Sequence, residues 1–513
     1  MSVIVITFSL VALWPILVLF YRYLQFLTYP LRNVAPGPKC GFFVGKWWEI
    51  RKEPFMQPEM AWIQNITGWN VPFVHYSILF GMPRILVLDK DIVKQVLMAP
   101  YGKQPLRFKR SNKFLENVIG RGLLTLEAED WMRHRQIIQP AFLANSLKEA
   151  LSTTVPQLTH RLIGCWKQSE EREIDVSSHL SALTLDIIGQ VAFSFDFKGM
   201  NNVERWAQRK GESTSDVDGA FVQAIRRPFR QSVIGTISFI LGLPALNYYL
   251  NPRFRRARRA LDVAVDEVIQ ETKKKMLMGN RSLVQLLLQA SQGGSNHKVL
   301  NVEELRDDAK TFIIAGHETT AVWCNMAVYA LVKHPDVQEK VCQDVLSHSP
   351  EEGPLDLETV ETMGYFNGFL KEVLRMYPPA GTLMRTNKTE ENIGDYKIPP
   401  GTQIIIPMYL LHRHNKYWED PEKFLPERWL QTGKDREEFL SKTRYAFLPF
   451  SMGGHNCIGQ RFATIEAKLI MAELIRNFDF RISPSQKDTK FTLSNIVVTT
   501  TRPNLRVVVK SRK

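Results

Sequence analysis

Cys457 stands in GGHNCIGQRF, residues 453–462, among Gly453, Gly454 and Gly459 and beside His455 and Arg461. Thiolate is the ligating and nucleophilic form of cysteine, and neighbouring positive charge favours it. Glycines leave backbone amides uncovered and let a flat group lie close against the chain. AGHETT, residues 315–320, is a second stretch with chemistry in it, because Glu318 precedes Thr319 there. An acid beside an alcohol can organise water for proton delivery. Each stretch also has a plain reading, as a buried structural cysteine and as a helix with a surface glutamate.

Glu372 and Arg375, in KEVLRMYPP, are three apart and so share one helix face. Such a pair is common and says little alone. Haem iron, however, can take a cysteine thiolate as its proximal ligand. FSMGGHNCIG, residues 450–459, resembles the cysteine loop of the cytochrome P-450 superfamily of haem-thiolate monooxygenases. The family pattern is Phe, two residues, Gly, one, a basic residue, one, Cys, one, Gly. Phe450, Gly453, His455, Cys457 and Gly459 fill it, with histidine where arginine is usual.

The resemblance implies heme b as cofactor, its iron bound by Cys457. It implies an oxygen-activation segment in Ala315, Gly316, Glu318 and Thr319, with Gly316 leaving room for oxygen. It pairs Glu372 and Arg375 with Arg428 of FLPERW in a buried charge triad whose role is structural. It gives Trp131 and Arg135 of WMRHR, and Arg385 of TLMRT, to the two haem propionates, with His455 at the basic position of the loop. Arg133 and His134 are expected to face solvent or a partner. Pocket-lining candidates are Phe114, Val118, Ile119, Phe312, Ala315, Leu383 and Met384.

The elements that must position these residues are mainly helical. Asn301 and Glu304 form a capping-box pattern ahead of an apolar run that ends at His334-Pro335. At 1.5 Å per residue this helix is about 50 Å long, enough to cross a domain. Residues 55–350 read as mostly helix. IPPGTQIIIP, residues 398–407, reads as a turn and short buried strand, and LRVVVK, residues 505–510, as a strand. The fold class expected is mainly α with a small β portion, the P-450 fold, in one large haem domain over residues 40–513.

Ahead of it, VIVITFSLVALWPILVLFY, residues 3–21, carries no charge. Nineteen residues span roughly 28 Å, about one hydrocarbon core. The stretch is longer than a signal-peptide core and lacks its charged start, so residues 1–29 read as a transmembrane anchor. Arg22, Arg32 and Lys39 follow it, which puts the rest of the chain on the cytosolic side of the endoplasmic reticulum membrane. The potential glycosylation sites at Asn65, Asn280 and Asn387 should then stay bare. Residues 30–39, with Pro36-Gly37-Pro38, read as a stiff hinge.

The chain has 513 residues, 66 Lys and Arg against 52 Asp and Glu, and a net charge of +14. That balance attracts an acidic protein or an anionic membrane. With no zinc-finger spacing and no aromatic-basic RNA signature, nucleic acid is excluded as a partner. Arginines at 226, 227, 230, 253, 255, 256, 258 and 259 flank an apolar run at 233–250, a pattern of interface binding or of a core helix with solvated ends. Ser291–Asn296 is the one low-complexity loop. Five cysteines without a CxxC pair argue against a disulfide framework or structural zinc.

No GxGxxG dinucleotide loop is present, so the resemblance implies NADPH-derived electrons from a separate cytochrome reductase, with cytochrome b5 as a second donor. The substrate would be lipophilic: a fatty acid, alkane or isoprenoid. Three other readings compete. A haem-thiolate isomerase or dehydratase needs no reductase, but such enzymes often lack the acid-alcohol pair. A haem sensor has no use for complete oxygen-activation residues. A membrane-tethered structural protein would not depend on Cys457.

Overall fold

The computed structural model describes residues 2–99, 112–143, 145–209, 220–230, 251–276, 300–495 and 498–512. The apolar run 233–250, the loop Ser291–Asn296 and Asn280 lie outside them, as do the side chains of Phe114, Arg226, Arg230 and residues 2–12.

Helix α1 covers Ser2–Leu27. Leu13, Trp14, Ile16, Leu17 and Phe20 are exposed, whereas Phe26 is buried. Among the described residues no helix is long and apolar enough to cross a membrane, so the transmembrane expectation for residues 3–21 is not carried by what is described. The end of α1 instead packs on the domain, with Phe26 and Tyr23 against Phe42 at ring separations of 5.7 and 5.1 Å. A side chain at Gly81 would strike the Phe26 ring. The hinge segment is docked too, because the Pro36 carbonyl accepts from the His75 amide at 2.7 Å.

The helical body is built from α2 (Ala128–Leu143), α3 (Asn145–Lys167), α4 (Val176–Phe193), α5 (Pro252–Met276), α6 (Val302–Lys333), α7 (Gly364–Met376) and α8 (Gln460–Asn477). Helix α6 is the long helix of the sequence reading. Both halves of its capping box form: the Asn301 side chain accepts from the Glu304 amide, and the Glu304 carboxylate accepts from the Asn301 amide. It packs along α4. Helix α4 is apolar nearly all round and is buried on every side, as a central helix must be. Helix α8 runs against α3.

The main sheet has four strands in the order β1-β2-β4-β3: β1 (Phe73–Ile78), β2 (Met82–Val87), β3 (Leu383–Thr386) and β4 (Gln403–Ile406). β1 and β2 form an antiparallel hairpin, β4 runs parallel to β2, and β3 is antiparallel to β4. The buried strand at 403–406 and the strand at Arg506–Ser511 fall where the sequence placed them. The described part of residues 55–350 is mostly helical as read, and the β1-β2 hairpin is an exception that the reading did not single out. One face of this sheet buries Phe73, Ile85, Val87, Ile404 and Ile406, and the other Val74, Tyr76, Ile78, Leu86 and Ile405. A strand buried on both faces has no polar alternation to give it away.

Asn387 is fully buried, and its side chain donates to the carbonyls of Thr389, Ile398 and Pro399. The folded domain has no room for a glycan there.

Candidate functional site

The segment between α7 and α8 carries Cys457, whose thiol is exposed. Gly453 sits at φ +76°, where a side chain would collide with the Leu97 carbonyl, so only glycine makes this approach without strain. The Asn456 amide donates to Gly453, and the Cys457 amide donates to the Phe450 carbonyl at 2.8 Å. None of the five cysteines forms a disulfide. The thiol of Cys457 lies 4.0 Å from where a side chain on Gly459 would begin, so the missing side chain keeps one flank of the sulfur clear.

Cys457 borders a cavity of about 330 Å³. The cysteine loop contributes Phe450, His455, Cys457 and Gly459 to its wall. Helix α6 contributes Phe312, Ala315, Gly316, Thr319 and Trp323. Helix α2 adds Trp131 and Arg135, and β3 adds Leu383 and Arg385. Residues expected from widely separated motifs thus meet around one largely apolar space, the usual character of a small-molecule site.

Within it, the rings of Trp131 and His455 are 3.7 Å apart. Phe450 meets Trp323 edge-on at 6.0 Å. Arg135 donates to the Asn456 carbonyl at 3.0 Å and to the Asn456 side-chain oxygen at 2.7 Å. Burial lowers the pKa of its guanidinium, and the charge of Cys457 works against that. Arg385 is buried and donates to the Met384 carbonyl at 3.0 Å. An apolar slot with a thiol on its wall, a buried arginine at 385 and a half-buried one at 135 suits a flat, dianionic macrocycle. Buried anionic groups need such cationic partners.

On α6, Thr319 Oγ1 donates to the Ala315 carbonyl at 2.7 Å. With its proton so engaged, its oxygen can serve the cavity as an acceptor. Gly316 faces Ile188, whose side chain would lie 3.1 Å from an added methyl. Glu318 is half-buried and is not among the residues bordering the cavity. His317, between them, is buried and hydrogen-bonds the Ile313 carbonyl at 2.7 Å.

Glu372, Arg375 and Arg428 form a buried charge cluster. Arg375 grips both oxygens of Glu372, at 2.9 and 2.8 Å, and Arg428 Nε reaches Oε1 at 3.1 Å. The Leu425 amide and the Trp429 indole also donate to Glu372, each at 2.9 Å. Arg375 further holds the carbonyls of His412, Pro421 and Lys423, which bolts α7 to the chain leading into the cysteine loop.

Three sequence readings need correction. His134 is not at the surface: it is fully buried, with Nδ1 2.7 Å from Asp308 Oδ2 on α6. Arg133 pairs with Glu304 instead of facing a partner. Of the lining candidates, Phe312, Ala315 and Leu383 border the cavity, whereas Val118 and Ile119 are buried in the main core and Met384 packs on the far face of the sheet. Leu123, Phe142, Ile188 and Met408 line it without having been singled out. Their sequence surroundings carry no mark of a site, because folding alone brings them there.

Comparison with known proteins agrees with this geometry. The chain matches the cytochrome P450 family model over residues 35–508. It is 29% identical to cytochrome P450 72A15 of Arabidopsis thaliana, covering 82% of this chain and 79% of that protein. It is 27% identical to cytochrome P450 3A16 of Mus musculus, over 92% and 91%. It is 28% identical to the cytochrome P450 monooxygenase sphH of Aspergillus fumigatus, over 92% and 87%. A match of that length, centred on a cysteine-walled cavity, places the chain in the cytochrome P450 family of oxygen-incorporating oxidoreductases, which hold their haem by a cysteine thiolate.

Proposed function

We propose that the protein is a monooxygenase in which Cys457 is the haem-iron ligand and one oxygen atom is placed on a lipophilic substrate. The observation that carries this reading is that Cys457 borders the same cavity as Ala315, Gly316 and Thr319. Haem, when bound, supplies the activation of dioxygen, which a thiolate ligand favours by pushing electron density toward O–O cleavage.

The chain's own residues do the rest. Cys457 would bind the iron as its thiolate, in a loop whose amides and glycines leave the sulfur accessible. Arg135, Arg385, Trp131 and His455 would hold the propionates, and Phe450 and Gly459 would flank the thiolate. Thr319 presents its oxygen to the cavity as an acceptor, and Glu318, half-buried on the same helix, passes protons from outside toward it. The apolar lining excludes water and selects lipophilic molecules.

Electrons come from NADPH through a separate reductase, with cytochrome b5 as a second donor, docking where Arg135, Lys148 and Arg461 border a concavity of about 480 Å³ beside Cys457. The exposed apolar residues of α1 support attachment to the endoplasmic reticulum membrane with the catalytic domain on the cytosolic side.

The test is mass spectrometry on lipid extracts incubated with the protein and a reductase, with and without NADPH, beside the Cys457→Ala variant. A new NADPH-dependent species heavier by one oxygen, absent with Cys457→Ala, is expected. A product formed without NADPH would replace this reading with a haem-thiolate isomerase. Absence of the carbon-monoxide spectrum of a thiolate haem from the reduced wild type would remove Cys457 as ligand.

A further inference from the structure

His134 and Asp308 have no place in the chemistry above, yet both are buried completely. They lie on two helices, α2 and α6, that both contribute residues to the cavity lining. On α2, Trp131 and Arg135 share the face turned to the cysteine loop, and His134 points about 100° away from Arg135 round the helix. Its Nδ1 is 2.7 Å from Asp308 Oδ2. On α6, Asp308 stands on the stripe that continues through Phe312, Ala315 and Thr319, the residues that line the cavity.

The second oxygen of Asp308 is also used. Oδ1 accepts from the Leu123 amide at 2.7 Å, and the neighbouring Asp307 accepts from the Arg121 amide at 2.7 Å. Leu123 and Leu124 border the cavity. Side chains at Gly120 or Gly122 would run into Asp307, so this loop is pressed onto α6 as closely as backbone allows. Arg133 adds an ion pair to Glu304 one turn earlier. Asp308 is therefore a three-way joint between the helix carrying Trp131 and Arg135, the loop carrying Leu123 and Leu124, and the helix carrying Thr319.

We infer that His134 and Asp308 are positioning residues that set the separation of the two cavity walls, and so how tightly the haem is gripped and how its face is covered by Leu123 and Leu124. They touch neither haem nor substrate. They act through Arg135 and Trp131 on one side and through the α6 stripe on the other. The inference rests on the haem-binding reading of the cavity.

The experiment is transfer of haem from the purified holoprotein to excess apomyoglobin, followed in the Soret band, together with hydrogen–deuterium exchange of residues 120–125. His134→Ala and Asp308→Ala should each speed haem release by about tenfold, the scale of one hydrogen bond to a charged group. Asp308→Asn keeps an acceptor for Leu123 and a partner for the imidazole, and should release haem within about threefold of wild type. Exchange at 120–125 should quicken in Asp308→Ala and stay slow in His134→Ala, which leaves the Leu123 bond in place. If the alanine variants do not fold, His134→Asn, whose amide nitrogen is bonded to Cγ as Nδ1 is, should hold haem better than His134→Gln, whose amide lies one bond further out. Wild-type release rates in both alanine variants, or equal rates for Gln and Asn at 134, would overturn the inference. A wild type that takes up no haem at all would instead overturn the reading on which it rests.

Discussion

Glu372 and Glu466 are buried equally, each with no exposed surface, and the protein treats them in opposite ways. Glu372 receives five hydrogen bonds: two from Arg375 and one each from Arg428, Leu425 and Trp429. Glu466, on α8, has no hydrogen-bond partner for either oxygen. Thr320 lies near enough to lower its pKa slightly, but its hydroxyl donates to the Gly316 carbonyl at 3.3 Å. Burial therefore wins and pushes the Glu466 carboxyl well above its ordinary range, favouring the neutral acid. Depth alone does not decide what a buried carboxyl does. The donors around it decide, and only Glu372 was given them.

The difference can be broken most severely at Glu372. Glu372→Ala strands two buried guanidinium groups and should cost roughly 3–5 kcal/mol, read as a drop in denaturation midpoint or as failure to accumulate folded protein. Arg428→Ala leaves Glu372 with Arg375, Leu425 and Trp429, and should cost about 2 kcal/mol by the same measurement. The effect that sharpens the contrast is at Glu466, and it grows with pH. Its folded pKa is raised, so its contribution to stability is fully present below the unfolded value and is lost as pH rises toward the folded one. The unfolded chain ionises from about pH 4.3 while the folded chain keeps its proton, at up to about 1.4 kcal/mol per pH unit. Denaturant titrations should show Glu466→Gln gaining on wild type as pH rises above the unfolded value of about 4.3. Parallel curves would mean that Glu466 is ionised in the folded protein.

Local patterns made much of this molecule legible. The glycines around Cys457, the capping box at Asn301 and Glu304, and the three-residue spacing of Glu372 and Arg375 are signals written within a few residues, and each element forms where they lie. Arg428 was reachable only through family likeness, since it is 56 residues from Glu372. His134 illustrates what local pattern cannot give. Between Arg133 and Arg135 it reads as part of a solvated basic run, and the group that reverses this, Asp308, is 174 residues away. The β1-β2 hairpin failed for a different reason: burial on both faces erased the alternation on which strand reading depends. Glu466 lies in an ordinary helical stretch, and nothing in the order of residues says that no donor will meet it.

The docking of the N-terminal segment has a mechanical consequence. Phe26 is wedged over Gly81 in the turn of the β1-β2 hairpin, and Pro36 is tied to β1. Force applied along α1 therefore enters the sheet at its first strand without slack to absorb it. The strand order then hands it through β2 and β4 to β3, which carries Leu383 and Arg385 on the cavity wall. A tug or tilt at α1 and the grip on whatever fills the cavity are thus opposite ends of one stiff lever.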